Sequence, residues 1–330
     1  MRNVISIKPL VCLLAVSASF ACATTVNAAP YPEHAVTMVV PFPPGGATDV
    51  LARKLAQELT ERYKQSFVIE NKPGAGGNIG TAYAARAKAD GYTLFVGTVS
   101  SHGVAPNLYN NVGYDPIKDF TPIGMISNSP QIVVVNKNSP IHSIEDLVKH
   151  GKSENSTYAS AGSGTTIHLA GELFNLKAGT KMVHVPFSGS GPSVNALLGG
   201  HVDVMFDDMP SSAPKVTGNN LRAIAVTGTE RSPLFPDLPT VSEVGKPFGL
   251  DGFDVSAWFF LAAPAGIPED VADTLNQAVN DMLAKDDMKN FLAERGSQPM
   301  PGSRADADAF IKAELKKWGQ IITDGNIPKL

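Results

Sequence analysis

Apolar and polar positions recur along this chain in one order: a short β-prone run, a glycine- or proline-rich break, then a run with apolar residues four apart. Val36-Thr37-Met38-Val39-Val40 predicts a strand. Leu51, Leu55, Leu59 and Tyr63, separated by Arg53, Lys54, Glu58 and Glu61, predict a helix over 49–63. A second strand is expected over 66–70, a helix over 81–89 and a third strand over 92–96. This β-α-β-α-β alternation implies a parallel sheet covered by helices. Residues 114–122, which include Tyr114-Asp115-Pro116 and Phe120-Thr121-Pro122, read as irregular connection. The apolar strand over 131–136 has the character of a segment passing between lobes. Ser143 is an N-cap for a helix over 143–149, with Glu145 and Asp146 in its first turn. The pattern then restarts with a strand over 157–160 and helices over 167–176 and 192–198. Strands over 202–206, 221–226 and 255–262 follow, with 231–241 as a surface connection. Helices over 269–283 and 304–321 close the chain.

The breaks carry the candidate chemistry. Pro41-Phe42-Pro43-Pro44-Gly45-Gly46-Ala47-Thr48-Asp49 joins the first strand to the first helix, where unpaired N–H groups and the helix dipole favour an anion such as a carboxylate. Gly45 and Gly46 allow close backbone approach, and the prolines stiffen the loop. An ordinary βα turn is the alternative. Ala161-Gly162-Ser163-Gly164-Thr165-Thr166, after the strand ending in Ser160, repeats this chemistry. Two such loops imply two lobes facing across a cleft, because ligands of parallel sheets bind beyond the carboxyl ends of the strands. Gly74-Ala75-Gly76-Gly77-Asn78-Ile79-Gly80 shapes a further wall; its last glycine comes one place too late for a dinucleotide fingerprint. The hydroxyl-rich end at Gly97-Thr98-Val99-Ser100-Ser101-His102 suits a polar ligand or, equally, an exposed loop cap.

Composition narrows the class. The 330 residues are 43% hydrophobic and 18% charged, with 30 Gly and 25 Pro, as in a loop-rich globular protein of one or two domains. A formal net charge of −4 without a basic block gives no support to a nucleic-acid partner. Arg2 and Lys8, the apolar run over 10–23 and Val26-Asn27-Ala28 form a secretory signal peptide over 1–28, which implies an exported mature chain. Both cysteines, Cys12 and Cys22, fall in it. The residues before Cys22 argue against a lipid anchor, and a mature chain without cysteine has no disulfide or thiolate site.

Catalytic patterns fail one by one. Gly162-Ser163-Gly164 and Gly189-Ser190-Gly191 lack the spacing of a serine nucleophile elbow. His168, His184 and His201 form no metal-binding helix pattern; His168 belongs at a helix start near the cleft, and the other two read as structural or surface residues. Asp207 and Asp208 are adjacent on a strand, so only one can enter a pocket. The expectation is no catalytic residue, no metal and no cofactor.

Further segments complete a recognisable set: Glu70-Asn71-Lys72-Pro73, Asp90-Gly91-Tyr92-Thr93-Leu94, His168-Leu169-Ala170-Gly171-Glu172, His184-Val185-Pro186-Phe187, Arg231-Ser232-Pro233 with Leu238-Pro239-Thr240, and 258–268. Together with the two glycine loops they resemble, in order and over nearly the whole mature chain, the Bug-type extracytoplasmic solute receptors of tripartite tricarboxylate transporters. The resemblance implies an α/β, type II-like periplasmic binding protein of two lobes, each a mainly parallel sheet flanked by helices. Lobe one would comprise 29–132 and 259–330, and lobe two 133–258. It implies a monomeric, non-enzymatic receptor that binds a small organic carboxylate and meets the membrane components of such a transporter. An exported sensory protein of the same fold, signalling to a membrane kinase, is the alternative. Carried over by motif, the ligand-binding positions are Pro44, Gly45, Gly46, Ala47, Asp49 and Thr98 on one side. On the other are Ser160, Gly162, Ser163, Gly164, Thr165, Thr166, His168, Phe187 and Asp207. Phe187-Ser188-Gly189 stands where many relatives have Tyr-Lys-Gly, and Asn195 where an Asp is frequent, which leaves the ligand's distal group open.

Overall fold

The computed structural model describes residues 31–325 and 327–330. The expected signal peptide over 1–28, with Cys12 and Cys22, lies outside the described residues. The order begins β1 (Val36–Val40), α1 (Ala47–Tyr63), β2 (Phe67–Asn71), α2 (Asn78–Ala85), β3 (Thr93–Thr98), α3 (Ala105–Leu108) and β4 (Phe120–Asn136). A second series follows: α4 (Ile144–His150), β5 (Thr157–Ser160), α5 (Thr166–Ala178), β6 (Val183–Pro186), α6 (Ser190–Leu198), β7 (Val204–Asp208), α7 (Met209–Thr217), β8 (Leu221–Val226) and α8 (Val241–Gly245). The chain returns through β9 (Ser256–Pro264), α9 (Glu269–Ala284), α10 (Asp286–Ala293), β10 (Gln298–Pro299) and α11 (Arg304–Asp324).

Strand β1 runs parallel to β2 and β3, with α1 and α2 as the crossovers. Its residues are almost wholly buried, which explains an apolar run with little alternation. β9 pairs antiparallel with β3 and with residues 120–130 of β4. Residues 131–136 of β4 pair instead with β7 and β8, and β5 lies parallel to both β7 and β6. Two sheet segments therefore share β4, which changes partners between Pro130 and Gln131. Thr227 ties this crossing to the return segment. Its hydroxyl accepts from Gln131 N (2.8 Å) and donates to Val255 O (2.5 Å), while its own N–H donates to Gln131 O (3.0 Å).

Three expectations change. Residues 120–122 are the start of a 17-residue strand, not a loose connection. Phe120 is buried and pairs with Pro264, a partner invisible to local pattern, and the register shift between Pro122 and Gly124 accommodates the proline. The helix expected over 81–89 runs Asn78–Ala85, entered through the 3-10 turn Ala75–Gly77. The stretch after β3 is no exposed cap: Ser100–Val104 forms a π-helical turn buried throughout. Ser143 caps α4 as expected, accepting from Asp146 N at 3.0 Å.

Candidate functional site

The loop before α1 is organised by Asp49, which is almost wholly buried. One carboxylate oxygen accepts from Gly45 N (3.0 Å) and Arg53 Nε (2.9 Å); the other accepts from Asn71 Nδ2 (2.9 Å). Asn71 also donates to Phe42 O at 2.9 Å, so both ends of the loop hang on one pair of side chains. Burial alone would raise the Asp49 pKa, but these donors outweigh it and hold the carboxyl below its usual range. Asp49 thus folds the loop back on the first turn of α1. Gly46 is the N-cap of that helix, with no side chain capping the first N–H groups.

The second loop is built differently. Ser160 Oγ accepts from Gly162 N (3.0 Å) and meets His184 Nε2 at 2.6 Å. Thr165 caps α5, accepting from His168 N, and donates to Gly162 O at 2.7 Å. Gly164 N donates to His168 Nδ1 at 3.3 Å, which requires that nitrogen unprotonated. The His168 and His184 rings pack 4.2 Å apart, and burial pushes both down to about 4, so they stay neutral. Tyr158 donates to Glu172 beside them.

Across the cleft the loops touch. Thr166 N donates to Ser100 Oγ (3.1 Å) and the Ser100 and Thr166 hydroxyls lie 3.2 Å apart, both buried. Tyr109 OH donates to Ser163 O at 2.7 Å. Gly76, at φ +65°, is so close to the second loop that a Cβ there would stand 2.4 Å from Ser163 O. Only glycine fits that approach.

Between these contacts lies an enclosed cavity of about 20 Å³, room for about one water. Gly46, Ala47, Thr48, Thr98, Ser100 and Thr165 line it, with Ser190, Asp208 and the rings of Phe42 and Phe259. Residues from the N-terminal ends of α1, α5, α6 and α7 are all among its lining, and α1, α6 and α7 have no side-chain cap. Among the described residues that line it, Asp208 alone has an acidic or basic side chain. A larger concavity of about 810 Å³ beside α2, lined by Ile79, Tyr83, Arg86 and Tyr109, is an open groove that reaches the second loop only through Tyr109.

Of the positions named from sequence, Gly46, Ala47, Thr98 and Thr165 line the cavity. Pro44 and Gly45 are exposed and do not line the cavity; their backbone lies beside Gly191 at the start of α6. Asp49, Ser160, Gly162, Gly164 and His168 shape the two loops from behind through the bonds above. Ser163 and Thr166 carry the cross-cleft contacts. Phe187 is partly buried, with its ring against the core around Ile132, Val134 and Val194, and its N–H donates to Ser160 O. Of the aspartate pair, Asp208 faces the cavity. Asp207 is fully buried and is not among the lining residues, accepting from Ser212 Oγ at 2.5 Å. Burial pushes both carboxyls up, and Asp207 raises Asp208 further. Thr48, Ser190 and Phe259 were not singled out as ligand positions. Ser190 was visible as part of a glycine-serine turn, whereas Phe259 comes from β9, far along the chain.

Two sheet segments joined by crossing strands, with helix N-termini converging on the space between them, define a two-lobed ligand-binding protein of the periplasmic type. Residues 51–327 match the model of the tripartite tricarboxylate transporter family receptor, and the chain belongs to that family of extracytoplasmic solute receptors, which are not enzymes. It is 35% identical over 305 residues to the protein BugT of Bordetella pertussis, covering 92% of each. Among solved structures it is similar to Rpa4515 of R. palustris with adipate (36% identity, TM-score 0.86, 91% of this chain and 100% of that one). It is also similar to MatC of Rhodopseudomonas palustris with bound malate (33% identity, TM-score 0.83, 88% and 100%). Among the described residues no helix is long and apolar enough to cross a membrane.

Proposed function

We propose that this protein captures a small organic carboxylate between its lobes, as a monomer in the periplasm, and presents it to the membrane components of a tripartite tricarboxylate transporter. Export by a signal peptide over 1–28 belongs to the same reading. The observation that carries it is the convergence of several helix N-termini on one cavity without a lysine or arginine in its lining. Free N–H groups and hydroxyls can replace the hydration of an anion there without burying an unpaired cation. The adipate and malate bound by relatives support the ligand class.

The cavity is small because the loops meet across it, so entry needs the cross-cleft contacts parted. The hinge lies where β4 changes partners at Pro130/Gln131 and where Val255 leads into β9. In this reading lobe one comprises 29–132 with 259–330, and lobe two 133–258. Closure then buries the ligand and creates the surface a transporter can read.

A thermal-shift screen of refolded, ligand-stripped mature protein against organic acids tests this. A native-state ligand at about 100 times Kd stabilises by about 2.7 kcal/mol. Gly46→Val should abolish the shift while leaving the unliganded midpoint unchanged. Gly46 has an ordinary φ of −84°, and an added Cβ would lie 3.5 Å from Ser190 Cβ, so the branched methyls would fill the cavity. A panel without any stabiliser, or an unaffected variant, removes this cleft from the function.

A further inference from the structure

We propose that the groove beside α2 is where a membrane component of the transporter docks, through an acidic segment with an apolar anchor, and that closure of the loops sets its shape. This rests on the receptor reading above and adds the surface that delivery requires. The groove has a volume of about 810 Å³. On its α2 side stand Ile79, 57% exposed, and Tyr83, 46% exposed, one helical turn apart on the same face. Two large apolar side chains left open at one concave site mark a place that a partner covers. Tyrosine and arginine, both in the lining, are the residue types that interface centres favour.

Both inner walls of the groove rest on Ser163 of the second loop. Tyr109 lines the groove and donates to Ser163 O at 2.7 Å. Its ring stands so close to that loop that a Cβ on Gly164 would come within 2.3 Å of it. Ala75 lines the groove too and precedes Gly76, whose own Cβ would stand 2.4 Å from the same Ser163 O. When the loops part, both walls lose this support, so the groove keeps its present width only in the closed form. A partner seated there distinguishes the loaded receptor from the empty one.

Charge selects the partner. Residues 71–89 hold Lys72, Arg86 and Lys88 and no acid, in a chain whose formal net charge is −4. Lys72 pairs with Glu70 at 2.8 Å, and its Nζ lies 4.5 Å from the centre of the Tyr83 ring. Arg86 and Lys88 are exposed. Arg86 donates to a neutral acceptor, Gly113 O at 3.1 Å, and among the described residues neither cation has an ion pair. An apolar side chain flanked by Asp or Glu fills the concavity and meets this charge, whereas a flat bilayer surface reaches only its rim.

The test compares Tyr83→Asp and Arg86→Glu with a control, Leu176→Asp, at an exposed position on α5 outside the groove lining. Cells deleted for this receptor carry each variant and are assayed for uptake of the radiolabelled organic acid selected by the thermal-shift screen. Neither Tyr83 nor Arg86 lines the interlobe cavity. Both variants should therefore bind that acid with wild-type affinity in calorimetry while uptake falls at least tenfold, and Leu176→Asp should transport normally. If either variant fails to fold, the other decides. Uptake within twofold of wild type in a folded groove variant removes the groove from delivery and leaves the receptor reading standing. An equal loss in Leu176→Asp also overturns the proposal, since any added surface charge then acts alike. Co-sedimentation of the liganded protein with phosphatidylglycerol vesicles, abolished by Arg86→Glu, would assign the groove to lipid instead. If the wild-type protein binds the acid yet restores no uptake, delivery is refuted and the docking site falls with it. If it binds no acid, the receptor reading itself fails.

Discussion

Replacing Asp49 by Asn tests whether the first loop is held from behind in the way its geometry implies. The two side chains have the same shape, but Asp49 accepts three hydrogen bonds and donates none. If the Asn oxygen takes the place that receives Gly45 N and Arg53 Nε, its NH2 faces the Nδ2 of Asn71. Asn71 cannot turn over to relieve this, because that same Nδ2 donates to Phe42 O and its Oδ1 accepts from Arg53 Nη2 at 3.3 Å. The opposite rotamer sets the NH2 against Gly45 N–H instead. One donor–donor conflict is unavoidable. The Arg53 side chain is 53% exposed, so its share is discounted to at most about 1 kcal/mol. Either rotamer therefore loses at least one part-buried bond to a charged acceptor and leaves its donor opposed, for an expected loss of about 2 kcal/mol. Urea unfolding of both proteins at neutral pH gives the difference directly, and an unchanged m-value shows that the loss is one of stability. Ligand affinity should fall at least tenfold, since Gly46 and Ala47 depend on this loop for their position. Arg53→Ala, by contrast, should cost no more than about 1 kcal/mol. A variant within about 0.5 kcal/mol of the parent would mean that the loop keeps its shape without Asp49, and that the carboxylate is not what folds it back on α1.

Thr227→Val keeps the shape of the buried staple but strands Gln131 N and Val255 O; a loss of about 2–3 kcal/mol is expected in urea unfolding, and an unchanged midpoint would dismiss the staple. Gly76→Ala forces a Cβ to within 2.4 Å of Ser163 O and should weaken ligand binding at least tenfold by holding the loops apart, as read by calorimetry; equal affinity would show that the contact is dispensable. Burial pushes His102 down from 6.5 to about 3 among Phe95, Phe120 and Phe260. The unfolded chain therefore binds a proton below about pH 6.5 that the folded protein refuses until about pH 3, and stability is lost across that window as pH falls. The contribution is about 1.4 kcal/mol per pH unit. His102→Gln should flatten the slope of unfolding free energy between pH 6 and 4.5 by about one proton, and parallel slopes would count against it.

Local pattern carried much of this molecule. The limits of β1, β5 and β8 coincide with those read from the chain, because each is a short β-prone run bounded by turn residues. Where structure depends on a distant partner the pattern is silent. The first half of β4 exists because β9 lies beside it, more than a hundred residues on. The edge strand β6 was missed because its residues are exposed or only partly buried, so it has no apolar stripe to show. The site divides in the same way. That glycine- and hydroxyl-rich loops at strand ends would converge follows from the order of elements. Which atoms turn inward does not. Ser160 Oγ is engaged by Gly162 N and His184, and the Asp49 oxygens by Gly45 N, Arg53 and Asn71, so these side chains shape their own loops. Strand alternation required one of Asp207 and Asp208 to face the cleft, but the phase is set by how β7 sits against residues 131–135 of β4. With Gln131 opposite Asp208 in that register, the cavity acquires its one charged side chain. A slip of one residue would have set Asp207 opposite Gln131 instead, so which carboxyl meets the cavity is something that only the assembled sheet can reveal.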